Sequence, residues 1–204
     1  PKLSGGGAAM DDKTHRLTSQ IHKAIAVIQF KLESQLFKKH PEWKMKGRCL
    51  FDHIDYKKGK VEIDGKEYDM TSCHFPTIDP DNPDKLSEEE EILIQKLHHS
   101  FMVCEKLHKH IKVMLQHGCM YAIFNNNLLF HASCPLNEDG SLKEVEIYPG
   151  KKYSGRALMH HTGMQIRTAF QSDSDPSEKE YAIEYFIYVW CGPDSPLCDK
   201  SKMA

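Results

Sequence analysis

Charge of one sign is scarce in this sequence: 27 Lys and Arg face 29 Asp and Glu, for a formal net charge of -2 over 204 residues. A protein that grips a nucleic acid by its phosphates needs a basic excess or stripe, so no nucleic-acid partner is expected. Long apolar runs are missing too. The longest mainly apolar stretch, near Gly118 to Phe124, is far shorter than the ~20 residues a bilayer-spanning helix requires. The glycine-rich start lacks a signal-peptide pattern, so no membrane partner is expected either.

Seven cysteines are present, but they form no Cys-x-x-Cys pair and follow no regular spacing. That speaks against a disulfide scaffold and against a zinc site built from cysteine pairs. An odd set of scattered thiols fits a reducing cytoplasm. Also absent are a Gly-rich phosphate loop, a nucleophile elbow and a Ser-His-Asp order. Cys134 could in principle act as a nucleophile, but no basic neighbour in sequence would activate it.

What is present has an ordinary globular balance, 40% apolar and 27% charged, enough for one or two small domains. Residues 1–10 (PKLSGGGAAM) read as a flexible loop or a junction, because three consecutive glycines bury nothing. From Thr18 to His40, Ile21, Ala24, Ile25, Ile28, Leu32 and Leu36 recur at three- and four-residue steps. They predict an amphipathic helix stopped before Pro41. Residues 49–70 turn strand-like, with Asp64-Gly65 as a type I′ hairpin turn. Pro76, Pro80 and Pro83 predict a fixed, extended loop.

Ser87 with Glu90 makes a capping box. Leu93, Leu97, Met102, Cys104, Leu107, Ile111 and Leu115 carry an apolar face on to Gly118, so a single helix, the longest of the chain, is predicted there. Its glutamates at 88–91 read as a solvated cap on the helix dipole. Met120–Phe124 and Leu128–Phe130, joined through Asn125, Asn126 and Asn127, predict a tight hairpin. A polar turn follows at Asn137 to Gly140, then a strand over Val145–Tyr148 and a helix from Gly155 to Phe170. Ser177 and Glu180 read as a second capping box ahead of a last helix. Hairpins in place of βαβ units give an α+β fold class.

The most chemically suggestive element is LLFHASCP, an apolar strand that delivers His131 into a proline-bounded loop. On its residues alone, His131 is either a metal ligand or a hydrogen-bonded strand-end histidine. His98-His99, His108, His110 and His160-His161 form no facing i, i+4 ligand pair and read as structural or surface residues.

Six stretches, HKAIAVIQFKLE (22–33), KGKVEIDGKEY (58–68), FPTIDPDNP (75–83), LLFHASCPLNEDGSLKEVEI (128–147), YSGRAL (153–158) and SPLCDKSKMA (195–204), resemble class III fructose-1,6-bisphosphatase in the family's own order. That family in turn is similar to the calcineurin-like metallophosphatases. The resemblance implies part of a calcineurin-like metallophosphatase sheet with a helical and β-hairpin insertion. Residues 11–117 would be the helical and hairpin accessory region and 118–204 a partial metallophosphatase domain.

The resemblance further implies a dinuclear Mn²⁺ centre in the complete enzyme, with His131 as one metal ligand. Two such ions activate a water and stabilise an in-line phosphoryl displacement. Arg156, Lys200 and Lys202 sit in family-like segments and would bind the sugar phosphate, although their residue types alone fit ordinary surface cations better. Ala132 stands where the superfamily has glycine. The superfamily's Asp-x-His, Gly-Asp-x-x-Asp and Gly-Asn-His blocks are absent, and Phe51-Asp52-His53 lacks their spacing. The chain therefore reads as an internal piece carrying part of an active site. The implied activity is cytoplasmic, metal-dependent removal of the 1-phosphate of fructose 1,6-bisphosphate in gluconeogenesis, with homo-oligomerisation open. A non-catalytic structural, dimerisation or regulatory domain is the alternative.

Overall fold

In the computed structural model, residues 11–71, 74–148 and 150–198 are described. The chain enters through α1 (Asp12–Lys39), 28 residues long, whose N-cap Asp11 accepts from the Thr14 N–H at 2.7 Å. The periodic apolar pattern marks this helix only from Thr18 onward. The first turns are polar and exposed, and their start is written in the Asp11 cap instead. Three short 3₁₀ turns follow, the first placing Trp43 and the last Phe51 in buried positions.

Among the described residues the strands make three separate antiparallel sheets. The first is a meander of β1 (Ile54–Asp55), β2 (Lys60–Ile63) and β3 (Lys66–Asp69). Its β2–β3 turn is Asp64-Gly65, both with positive φ (52° and 74°), as a type I′ turn demands. The other two sheets are hairpins: β4 (Tyr121–Phe124) with β5 (Asn127–Phe130), and β6 (Val145–Tyr148) with β7 (Lys151–Tyr153). Helices and small antiparallel sheets together confirm the α+β class.

The long helix expected from Ser87 to Gly118 is two helices, α2 (Glu88–Met102) and α3 (Glu105–His117), which leaves α1 as the longest. Neither proline nor glycine stands between them, and the apolar spacing runs through the break, so no local signal announces it. The capping box is present as read, with Ser87 and Glu90 each bonded to the other's backbone N–H. Glu90, however, is buried and not a solvated cap. Its Oε2 also meets Nζ of Lys31, a fully buried lysine of α1, at 2.8 Å.

That lysine donates as well to Thr77 O at 2.5 Å. Lys31, Glu90 and Thr77 thereby tie α1, α2 and the proline loop together, and a buried ion pair persists only when its members are hydrogen-bonded this fully. The proline loop itself is not extended. It is a run of turns, with Ile78 N–H to Phe75 O at 3.2 Å, Asn82 N–H to Asp79 O at 3.1 Å and Lys85 N–H to Asn82 O at 3.1 Å.

The last two helices are α4 (Gly155–Thr168) and α5 (Pro176–Cys191). The cap of α5 is Asp175, which accepts from Ser177 and Glu178 N–H at 2.9 and 3.3 Å with Pro176 at the first helical position. The expected Ser177–Glu180 box yields to this arrangement because the helix begins one residue before Ser177.

The core joins early and late chain. Phe37, Trp43, Met45 and Cys49 pack with Val145, Ile147, Leu158, Tyr185, Tyr188 and Val189. His40 bridges the two, with Nδ1 at 2.8 Å from Glu42 and Nε2 at 2.7 Å from Glu184 of α5, its ring stacked 4.0 Å from Trp43. Arg48 donates to the Cys191 carbonyl at 2.9 Å, placing a cation at the negative end of the α5 dipole. Among the described residues no helix is long and apolar enough to cross a membrane.

Candidate functional site

The β4–β5 hairpin delivers His131. Asn125 and Asn126 take φ of 49° and 61°, the left-handed region that asparagine tolerates, and pairing runs from Phe124 with Asn127 to Tyr121 with Phe130. His131 follows Phe130 directly, and its imidazole is exposed. A histidine held at a strand end and open to solvent can offer one nitrogen lone pair to a ligand or metal.

The loop after it is pinned at several points. Ser133 donates through its N–H to Pro196 O and through Oγ to Ser195 O, both at 3.3 Å. Lys143 N–H donates to Pro135 O at 3.0 Å. The receiving segment is itself anchored: Ser195 is fully buried and its Oγ donates to Val189 O of α5 at 2.6 Å. Lys143 pairs with Asp194 at 2.8 Å. Two stretches distant in sequence, HASCP and SPLC, thus become one surface. The serines that clamp them escaped sequence reasoning, although both lie inside the segments that carried the family resemblance.

Arg156 stands exposed in the first turn of α4. Gly155 before it has φ of 49°, and a Cβ there would lie 2.8 Å from Leu142 Cδ1. Only glycine suits that approach and that angle, so the YSGRAL stretch is shaped by packing as well as by Arg156. Among the described residues no hydrogen bond or ion pair joins Arg156 to His131. Lys200 and Lys202 lie outside the described residues, as do residues 1–10.

The remaining histidines separate by environment. His98, His99, His108 and His110 are exposed on α2 and α3, and so is His160. His161 is half-buried against Tyr153, ring centroids 3.7 Å apart; burial first, then the nearby His160 and Lys151, pushes its pKa down and favours the neutral ring. Cys134 is half-buried in the His131 loop. Among the described residues no group of three or more His, Cys, Asp or Glu side chains converges in a way that could hold a metal ion.

The family comparison bears on all of these segments together. The profile described as Firmicute fructose-1,6-bisphosphatase matches residues 1–204, the whole chain. The chain belongs to the Firmicute fructose-1,6-bisphosphatase family. Among similar members, fructose-1,6-bisphosphatase class 3 of Parabacteroides distasonis is 50% identical over 204 residues, covering 100% of this chain and 30% of that protein. The corresponding Bacteroides fragilis protein is 48% identical over 204 residues, covering 100% of this chain and 31% of its own length. That of Clostridium novyi is 46% identical over 187 residues, 92% of this chain and 28% of its length. The chain therefore spans about 30% of the curated fructose-1,6-bisphosphatases it matches. No solved structure matches it.

Proposed function

We propose that this chain is the part of a cytoplasmic, divalent-metal phosphatase that presents His131 to a metal centre, in an enzyme removing the 1-phosphate of fructose 1,6-bisphosphate in gluconeogenesis. The observation that carries the reading is the family match over all 204 residues, with relatives named for that substrate. The placement of His131 supports it: an exposed imidazole at the end of an apolar hairpin, on a loop held by Ser133 against Ser195 and Pro196. In the same reading β4–β5 belongs to a calcineurin-like sheet, the centre holds two Mn²⁺, and Arg156, Lys200 and Lys202 bind the sugar phosphate.

The described residues do not by themselves fit such a centre. One imidazole with no converging carboxylate or second histidine binds a divalent ion weakly, so no step of the reaction runs through a metal on these residues alone. The contribution of this chain is one ligand and its rigid mounting. A second reading, a non-catalytic domain that docks or dimerises the parent enzyme, draws on the large apolar side chains left open on α2, α3 and the β4–β5 hairpin.

The test is a chimera of the Parabacteroides distasonis protein whose matching segment is replaced by these 204 residues, with and without His131→Ala. Phosphate release from fructose 1,6-bisphosphate and bound Mn²⁺ per chain are measured together. Loss of both in His131→Ala, with an unchanged melting temperature, is the expected result. Full activity and full metal content in that variant, or a folded chimera that releases no phosphate, would overturn the reading.

A further inference from the structure

α3 has a clear apolar stripe, yet none of its residues is buried. Leu107, Ile111 and Leu115, four residues apart, are only half-covered. They form one wall of a cavity of about 900 Å³ whose opposite wall is Phe170, Ile183 and Phe186. A second cavity of about 280 Å³ shares Ile111, Leu115 and Phe186 and continues past Met114 to Met120. Together they make an apolar groove along α3 whose Leu107–Leu115 wall is roughly 12 Å long at 1.5 Å of helix rise per residue. Its upper walls are open: Phe101 is 61% exposed and Ile183 53%.

The charged side chains of the larger cavity are of one sign. Lys112, Arg167 and Lys179 stand around it beside His98, His108, Gln116 and Gln171, and no Asp or Glu does. Arg167 donates to the carbonyls of Gly163 and Gly118 at 3.0 and 2.8 Å, and Lys179 to that of Gln171 at 2.8 Å. These bonds fix the cations in place without neutralising them. Among the described residues no ion pair involves Lys112, Arg167 or Lys179.

We propose that this groove seats an acidic amphipathic helix supplied by the part of the longer protein that these residues do not span. Three observations converge on that occupant. The walls repeat at four-residue steps, the spacing into which a second helix inserts its own ridge of side chains. The rim is cationic and uncompensated, so carboxylates flanking the apolar stripe of the incoming helix would find partners there. The matched relatives are long enough to provide it, since this chain covers only 30 or 31% of two of them. Met102 in the larger cavity and Met114 in the smaller can adapt their shape to the incoming side chains. The inference stands apart from the phosphatase reading, because it concerns how the chain is held and not what is hydrolysed.

The experiment uses the full-length Parabacteroides distasonis protein with photoreactive benzoylphenylalanine installed at the position matching Phe186 or, separately, Met114. Cross-linked peptides are mapped by mass spectrometry, with the position matching the exposed Ile63 as a control. Irradiation at both groove positions, and not at the control, should capture one peptide from outside the matched segment that carries Asp or Glu beside apolar residues at helical spacing. Capture of a second copy at doubled mass, capture of a peptide without acidic residues, or no capture at either groove position would overturn the proposal. Phosphatase activity recorded on the same samples reports separately on folding and on the functional reading.

Discussion

Around Trp43, side chains from the end of α1, from β6 and from α4 and α5 fill one another's space: Phe37, Ile147, Leu158, Tyr185 and Tyr188 are all buried there. Around Ile111 and Ile123, side chains just as apolar stay open. Ile123 and Phe124 on the β4–β5 hairpin are each 69% exposed, and α3 buries nothing. The difference is one of partners. The first region finds its complement within this chain, through contacts that reach from residue 37 to residue 191. The second has apolar area that no side chain among the described residues covers. A two-stranded hairpin is marginal in water without a packed face, and in β5 the neighbours Leu128 and Leu129, which point to opposite faces of a strand, are both exposed. Neither face of that strand is covered among the described residues.

That contrast can be broken or sharpened by substitution. The largest effect belongs to Trp43→Ala, which empties the centre of the closed region and removes the stack on His40. It should cost about 4 kcal/mol, read as a lower urea midpoint by circular dichroism, and an unchanged midpoint would place the core elsewhere. Lys31→Met comes next, because it strands the Glu90 carboxylate in a buried position. A loss of about 3 kcal/mol is expected, with much of it recovered when Glu90→Gln is added. If the double variant is no better than the single one, the pair is not what joins α1 to α2.

Acid should weaken the same joints by a smaller amount. Burial raises the carboxyl pKa of Glu90, and hydrogen bonds from Lys31, Thr77 and the Ser87 N–H outweigh it; burial likewise opposes the bonds from Lys39 and His40 at Glu184. Both groups are held below their ordinary 4.5. A carboxylate with a depressed folded pKa contributes stability that is present above about 4.5 and is lost as pH falls through the lower folded value. Melting temperature should therefore drop in that acid window, and a flat profile would contradict the assignment. The smallest effect is expected for Ile123→Ser, under about 0.5 kcal/mol in this chain. In the longer protein the matching change should cost several times more if the hairpin is covered there, and equal costs in both would remove the contrast between the two regions.

How far these features could be read in advance differs from element to element. Asp64-Gly65 and Asn125-Asn126 announce their hairpins because positive φ is a property of single residues, and the Ser87–Glu90 box announces a helix start because its hydrogen bonds span three residues. His131 at the end of an apolar strand could be found for the same reason. The clamps Ser133 and Ser195 could not, since a serine shows no sign of a partner sixty-two residues away. Nor could the burial of Lys31, a residue whose type argues for exposure until Glu90 and Thr77 close over it.

The sequence by itself determined the local grammar of this protein and its α+β class, because turn chemistry, capping and helical periodicity act over a few residues, and its family through long stretches that match in order. Tertiary structure alone decided where α2 gives way to α3, which charges go inside, that HASCP and SPLC share one surface, and which apolar faces find a partner. Each of those outcomes depends on segments far apart in the chain meeting at a few ångströms, and no local pattern of residues encodes that meeting.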